Sequence, residues 1–397
     1  MSAQVRRPEI VVDLAAIRRN VARLRDLVAA DGSDVLVVVK ADGYGHGMVE
    51  SARAARQAGA PWLGVATIEE AVRLREAGDT GRVLCWLTVP GDDWAAAIER
   101  DVDVTAYSVA DLDEIRDAVR GTPARVQLKI DTGLSRGGAT ADAWPDVLAA
   151  ARAGEADGVW SVTGIWSHFA CSDEPGHPAN DAQERAFRDA LADAERAGLR
   201  PEVRHLANSG GAILRPSSRF DLVRCGIAAY GLDPAPGISP DLGLEPAMTV
   251  TASLALTKHL HAGASVSYGH TWTAPGETRV GLVPLGYGDG VPRHAGNAAE
   301  VEVGGKRRPI RGRICMDQFV VDLGDPDDHE VAAGDEVVLF GPGTAGEPTA
   351  DDWARACGTI HYEIVTRMGG RLHRRYAGEA PPDVTRDVTG DAAGMTA

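Results

Sequence analysis

Eight times between residues 35 and 230, a short apolar run rich in β-branched residues is followed by a stretch with helical spacing, and this repetition constrains the fold more than any other feature. The predicted strands are residues 35–40, 62–67, 83–87, 102–107, 125–131, 162–168, 203–207 and 222–226. Among the intervening helices, residues 68–78 (IEEAVRLREAG) place Ala71, Leu74 and Ala77 on one face and end at a glycine suited to a C-cap, and residues 182–198 repeat the pattern. Eight such units predict a parallel (β/α)8 TIM-type barrel. A doubly wound open sheet uses the same alternation, but no GxGxxG follows the first strand, so the closed barrel is favoured.

The helical period disappears after a stretch rich in Pro, Gly and Asp at 234–246, and alternating segments at 249–256, 278–284, 300–303 and 336–340 predict an all-β C-terminal domain. The extended residues 9–13 are expected to join it, with Asp13 capping a helix that carries Ile17, Val21 and Leu24. The expected division is thus a barrel over residues 12–240, a β-domain of residues 1–11 plus 241–380, and a small, polar, disordered tail at 381–397.

Composition narrows the function. With 44% hydrophobic and 25% charged residues the 397-residue chain is that of a globular protein, and its net charge of -16 argues against a nucleic-acid partner, which needs clustered cations. The five cysteines are scattered without a CxxC pair, suggesting neither a disulfide framework nor a zinc ribbon. His259 and His261 lack a third ligand nearby, so no metal is expected. The first eight residues contain no apolar run and no stretch approaches the roughly 20 apolar residues of a membrane span, so a cytoplasmic location is expected and no membrane association.

In a closed barrel, residues at the strand C-termini open onto one face and build one site. Lys40, Lys129, Asp131, His168, Asn208, Ser209, Arg224 and Gly226 all fall there. Lys40 follows VLVVV and precedes ADGYGHG, so its amine emerges from a buried strand beside glycines that permit close approach of a ligand. A lysine so placed is readily desolvated and nucleophilic, although a strand-ending lysine can also simply reach solvent. Ser209 stands at a predicted helix start, where it can act as an N-cap or help bind phosphate. Taken alone, His168 is better explained as a core histidine and Tyr268 as an aromatic in a hairpin core.

Together, VVVKADGYGHG, HLANSGG, VRCGIAAYGL, VSYGHTW, LGYGDG and RICMDQF resemble, in order, the motifs of the alanine racemase family of fold-type III pyridoxal-phosphate enzymes, over roughly residues 9–376. The resemblance implies pyridoxal 5'-phosphate as cofactor, alanine as substrate, and a head-to-tail homodimer whose active sites combine both chains. It implies that Lys40 carries the cofactor as a Schiff base and is one proton-transfer base, and that Tyr268 of the other subunit is the second. Racemisation needs bases on opposite faces of the reacting carbon, because a proton removed from one side must return from the other. Ser209, Gly226, Ile227, Tyr44 and Tyr362 are implied to hold the phosphate, with Asn208 beside them. Arg224 is implied to face the pyridine nitrogen, backed by His168.

By the same resemblance Arg136 binds the substrate carboxylate, oriented by a carbamylated Lys129. Cys315, Met316 and Asp317 form a loop given by the partner, and Tyr287 with Tyr362 gates the access channel. Asp42-Gly43, Cys225 and His361 depart from the commonest pattern, and residues 367–375 (RMGGRLHRR) are less typical still. Three other readings compete. A broad-spectrum or serine-preferring racemase of this fold differs at the gate. A non-catalytic pyridoxal-phosphate-binding protein would lack the β-domain, and a cofactor-free sugar-phosphate isomerase would leave Lys40, Arg224 and Tyr268 unexplained.

Overall fold

The chain enters its fold through β1 (Glu9–Asp13), whose last residue caps the first helix. The Asp13 carboxylate accepts from the N–H groups of Ala15 (2.8 Å) and Ala16 (3.1 Å), satisfying two donors that the helix Leu14–Ala29 would otherwise leave free. Ile17, Val21 and Leu24, spaced for one helical face, are fully buried. The computed structural model of the protein describes residues 7–324 and 330–378. The tail expected at 381–397 lies outside the described residues, as do residues 1–6 of the expected β-domain.

All eight predicted barrel strands form: β2 (Asp34–Val38), β3 (Trp62–Val65), β4 (Arg82–Cys85), β5 (Asp103–Ala106), β6 (Ala124–Lys129), β7 (Trp160–Trp166), β8 (Val203–His205) and β9 (Leu222–Cys225). They pair in parallel in the order β8-β7-β6-β5-β4-β3-β2-β9, so first and last are neighbours. The remaining seam is bridged by Asp221 N–H to Arg204 O and Arg224 N–H to Ala207 O, both 3.0 Å. Covered on both faces, β2 buries Val35, Leu36, Val37 and Val38 in succession, which is why it reads as a continuous apolar run rather than an alternation.

Most of the strands end earlier than the sequence suggests. Lys40 does not end a strand: the ladder stops at Val38 and the chain then turns sharply. Asp131, His168 and Gly226 likewise fall just beyond the last paired residues, in the loops that carry the site.

Beyond the barrel lie β10 (Met248–Ser253), β11 (Leu256–Leu260), β12 (Ser265–Val266), β13 (Trp272–Thr273), β14 (Thr278–Val283), β15 (Glu300–Val303), β16 (Lys306–Arg311), β17 (Phe319–Gly324), β18 (Glu336–Phe340) and β19 (His373–Ala377). Nine strands form one sheet, ordered β11-β14-β17-β16-β15-β18-β10-β1-β19, and β12 pairs with β13. The expected strand 249–256 is split at Leu254, whose N–H goes to Asp335 O (2.9 Å) while the next, of Ala255, goes to Leu282 O (2.8 Å). The chain there passes from one neighbour to another.

Residues 9–13 do join this sheet: β1 runs antiparallel to β10 and parallel to β19. The C-terminal part is not purely β, because it also contains the helices Ala350–Cys357 and His361–Arg367. The first starts at a capping box in which Thr349 and Asp352 each accept the other's backbone N–H, a T-x-x-D signal present in the sequence. Among the described residues no helix is long and apolar enough to cross a membrane.

Candidate active site

Lys40 opens a turn of left-handed backbone. Ala41, Asp42 and Tyr44 all have φ of 53°, and Gly43 has 63°. Left-handed geometry costs roughly 1–2 kcal/mol for each L-residue other than glycine, with aspartate the most tolerant, so three such residues in four must be held by their surroundings. Hydrogen bonds inside the turn supply part of that support, from Gly43 N–H to Val39 O (2.8 Å) and from Gly47 N–H to Asp42 O (2.8 Å). Glu70 accepts from Ala41 N–H at 2.7 Å. The turn brings Lys40 and Tyr44 into the wall of one cavity.

That cavity has a volume of about 250 Å3 and is also lined by Lys129, Arg136, His168, Asn208, Ser209, Arg224, Gly226, Ile227 and Tyr362. Of the barrel residues singled out in the sequence for the site, all but Asp131 line this cavity at the strand C-termini, and the helix His361–Arg367 adds Tyr362 from beyond the barrel. Although the chain carries a net charge of -16, this lining holds four basic side chains and no carboxylate. A dianionic phosphate and a carboxylate are the groups such a wall accommodates.

Burial lowers the pKa of Lys40, Arg136 adds to the effect, and Glu70 opposes it. Lys129 is brought down to about 7, first by burial and then by Arg224 and Arg136, and its Nζ lies 4.4 Å from the centre of the Trp166 ring. Asp131 shapes the loop leading to Arg136 by accepting from the N–H groups of Gly133 (2.9 Å) and Ser135 (3.0 Å).

Arg224 is buried in a nest of acceptors. Its Nη2 donates to the carbonyls of Ser167 (2.7 Å) and Leu206 (2.9 Å) and to Nδ1 of His168 (3.1 Å), and its Nη1 donates to Nδ1 of His205 (2.9 Å). Burial and Arg224 itself hold both histidines well below the usual imidazole range, so both are neutral acceptors. Burial takes Arg224 down to about 9, which still leaves it cationic at neutral pH. Among the described residues its Nε has no acceptor, and Arg224 lines the cavity.

The helix Ser209–Leu214 is capped by Asn208, whose side chain accepts from Gly211 N–H at 3.0 Å. Ser209 is thus not the N-cap: it is one residue inside the helix, and its hydroxyl instead accepts from Gly226 N–H at 3.0 Å. Gly226 must be glycine for space rather than for backbone angle. A Cβ there would come within 2.3 Å of the Tyr44 hydroxyl. Tyr362 stands next to Tyr44, with ring centres 6.3 Å apart.

Tyr268, Tyr287, Cys315, Met316 and Asp317 do not line this cavity. They form a second cluster, in which Cys315 Sγ lies 3.3 Å from the hydroxyl of Ser267 and Tyr287 N–H donates to Cys315 O at 3.1 Å. Arg371 ties the cluster together by pairing with both Asp289 and Asp317. Tyr268 is 72% exposed and Met316 55%, so the chain by itself leaves these groups facing outward.

Sequence reasoning missed Trp86, Trp166 and His205. Trp86 and Trp166 line the cavity, and His205 stacks on Trp166 at 5.5 Å with rings 5° apart while sharing a 2.7 Å hydrogen bond with Gln127 Oε1. Trp166 ends β7 and His205 ends β8, so the rule that strand ends build the site could have found them.

Sequence models of the alanine racemase N-terminal and C-terminal domains match residues 12–234 and 247–376. The alanine racemase of Frankia casuarinae is 55% identical over 92% of this chain and 95% of its own length. The crystal structure of alanine racemase from D-cycloserine-producing Streptomyces lavendulae superposes with a TM-score of 0.92 at 52% identity, covering 95% of this chain and 98% of that one. Alanine racemase from Bacillus anthracis, solved with bound L-Ala-P, has a TM-score of 0.86 at 33% identity over 95% of this chain and 97% of that one. With both family domains matched in order along a barrel and a β-rich partner, the chain belongs to the alanine racemase family.

Proposed function

We infer that this protein interconverts L-alanine and D-alanine, with pyridoxal 5'-phosphate as cofactor and two copies of the chain completing each active site. The observation that carries the reading is the cavity wall: a desolvated lysine, a second lysine with a lowered pKa and two arginines, without a carboxylate, at the strand C-termini of a family barrel.

The residues fit the cofactor. Lys40 offers an amine with a lowered pKa for covalent attachment, and Gly226 and Ile227 bring backbone to the cavity beside the Ser209, Tyr44 and Tyr362 hydroxyls, which together would hold a phosphate. Arg224 keeps a spare Nε–H that would face the ring nitrogen, and as a donor that holds its proton it would leave that nitrogen unprotonated. When bound, the cofactor would withdraw electrons from the alanine Cα–H bond and so acidify it.

The protein's part is to bind, to orient and to move the proton. Arg136, with the Met316 amide and the Cys315–Asp317 loop of a second copy, would hold the alanine carboxylate. Lys129, neutral above about pH 7, would react with carbon dioxide to form an anionic carbamate that pairs with Arg136. Lys40 Nζ would exchange the Cα proton on one face, and the Tyr268 hydroxyl of a second copy would do so on the other. Tyr268 faces outward from its own chain, as a group serving another copy must. Tyr287 and Tyr362 would then narrow the channel around a methyl side chain.

The test is a coupled assay for D-alanine formed from L-alanine, together with borohydride reduction and peptide mapping. Reduced adduct on Lys40 and turnover of alanine are expected; an unmodified Lys40 sinks the cofactor assignment. A panel including serine decides how strict the gate is.

A further inference from the structure

The left-handed turn that carries Lys40 and Tyr44 is gripped from outside the barrel. Strand β19 alternates its side chains, so Arg374 and Tyr376 share one face while Arg375 lies on the other. Arg375 pairs with Glu9 of β1 at 3.0 Å. Arg374 reaches the barrel instead: its Nη1 lies 3.1 Å from the Asp42 carboxylate and its Nε donates to Gly45 O at 2.9 Å. One planar guanidinium thereby spans two points of the turn three residues apart. Tyr376 closes over the same segment, its hydroxyl only 2.0 Å from where a Cβ on Gly47 would stand. Asp42 completes the grip by accepting from Met48 N–H at 3.1 Å, which ties the turn to the helix behind it.

We propose that Arg374 is a positioning residue, a strut from the C-terminal sheet that holds residues 41–45 left-handed and so aims Lys40 and Tyr44 into the cavity. The local sequence cannot hold this shape unaided, because Ala41 and Tyr44 both disfavour it. The rigid fork of a guanidinium meets a carboxylate and a carbonyl together, whereas a lysine ammonium reaches one of them without fixing the angle between them. That Lys40 is the reactive amine rests on the function proposed above; the strut itself does not.

Hydrogen exchange of the peptide covering residues 40–47, followed by mass spectrometry, reads the turn directly. In Arg374→Ala its amides should exchange about tenfold faster or more, as expected when a local opening loses its restraint. Arg375→Ala, which removes an ion pair from the same strand on the opposite face, should leave that peptide unchanged. Arg374→Lys should fall between the two. Asp42→Asn, which weakens the ion pair while leaving the Arg374 to Gly45 bond, provides a milder variant should Arg374→Ala fail to fold, and it too should loosen the peptide. In the holoenzyme the same variants should show faster displacement of the lysine-linked chromophore by hydroxylamine and a fall in kcat larger than any rise in KM. Wild-type protection of residues 40–47 in both Arg374→Ala and Asp42→Asn, or equal loss in Arg375→Ala, overturns the proposal. Purified wild-type protein without a chromophore on Lys40 counts against the functional reading alone, and the exchange experiment still decides the strut.

Discussion

Arg224 donates from Nη1 to Nδ1 of His205 at 2.9 Å, which fixes the histidine proton on Nε2, where it is donated to Gln127 Oε1 at 2.7 Å. A buried guanidinium tolerates this setting because each neighbour is a neutral acceptor. Replacing His205 with phenylalanine keeps the stack on Trp166 but leaves an N–H of Arg224 without a partner. The variant should lose about 1–3 kcal/mol of unfolding free energy, read from urea melts. An unchanged midpoint would mean that water replaces the imidazole without loss.

The outward-facing Tyr268 and the cavity-lining Lys40 give a genetic test of shared sites. Tyr268→Phe should lower alanine racemisation by a factor on the order of 10^2–10^4 while the chromophore stays on Lys40. Lys40→Ala should lose both activity and covalent attachment. Co-expression of the two variants should restore about one quarter of wild-type activity, because half of a random dimer population is mixed and one of its two sites regains both groups. Activity no greater than the sum of the separate variants would place both bases in one chain.

At Gly226 a methyl group has no room beside the Tyr44 hydroxyl, 2.3 Å away. Gly226→Ala must therefore displace the Tyr44 side chain, which should weaken cofactor retention by about tenfold or more during dialysis and also lower the melting temperature of the cofactor-free protein. Retention equal to wild type would move the phosphate elsewhere in the cavity.

Lys129 gives a pH-dependent prediction. Its amine is protonated below about 7 and neutral above it, and only the neutral form attacks carbon dioxide, forming an N–C bond and releasing one proton. Incubation with 13C-bicarbonate should give a carbamate resonance that grows as pH rises through 7, rather than near the ordinary lysine value of about 10.4. The resonance should be absent from Lys129→Ala. A spectrum identical in the two proteins would remove the carbamate and its pairing with Arg136.

Much of this fold is written in local patterns. The run at 35–39 declared β2 because a strand covered on both faces must be apolar throughout, and Asp13 before Ile17, Val21 and Leu24 announced its helix through capping and spacing. By contrast β16 (Lys306–Arg311), with four cations and a proline in its six residues, carries no alternation to detect, and its place comes from the strands on either side. The same holds for β19, whose sequence HRRYA is polar and whose pairing with β1 joins residues more than 360 positions apart.

The strand count was enough to place Lys40, Lys129, His168 and Arg224 on one barrel face, since parallel strands in a closed ring expose their C-terminal ends together. Tertiary structure alone decided that those groups share a wall free of carboxylates, that His205 and Trp166 back Arg224, and that Arg374 from a distant strand holds the turn after Lys40. Backbone periodicity reports which way a residue faces within its own element. It does not report which side chain from another element will meet it, and the chemistry of this cavity depends on such meetings.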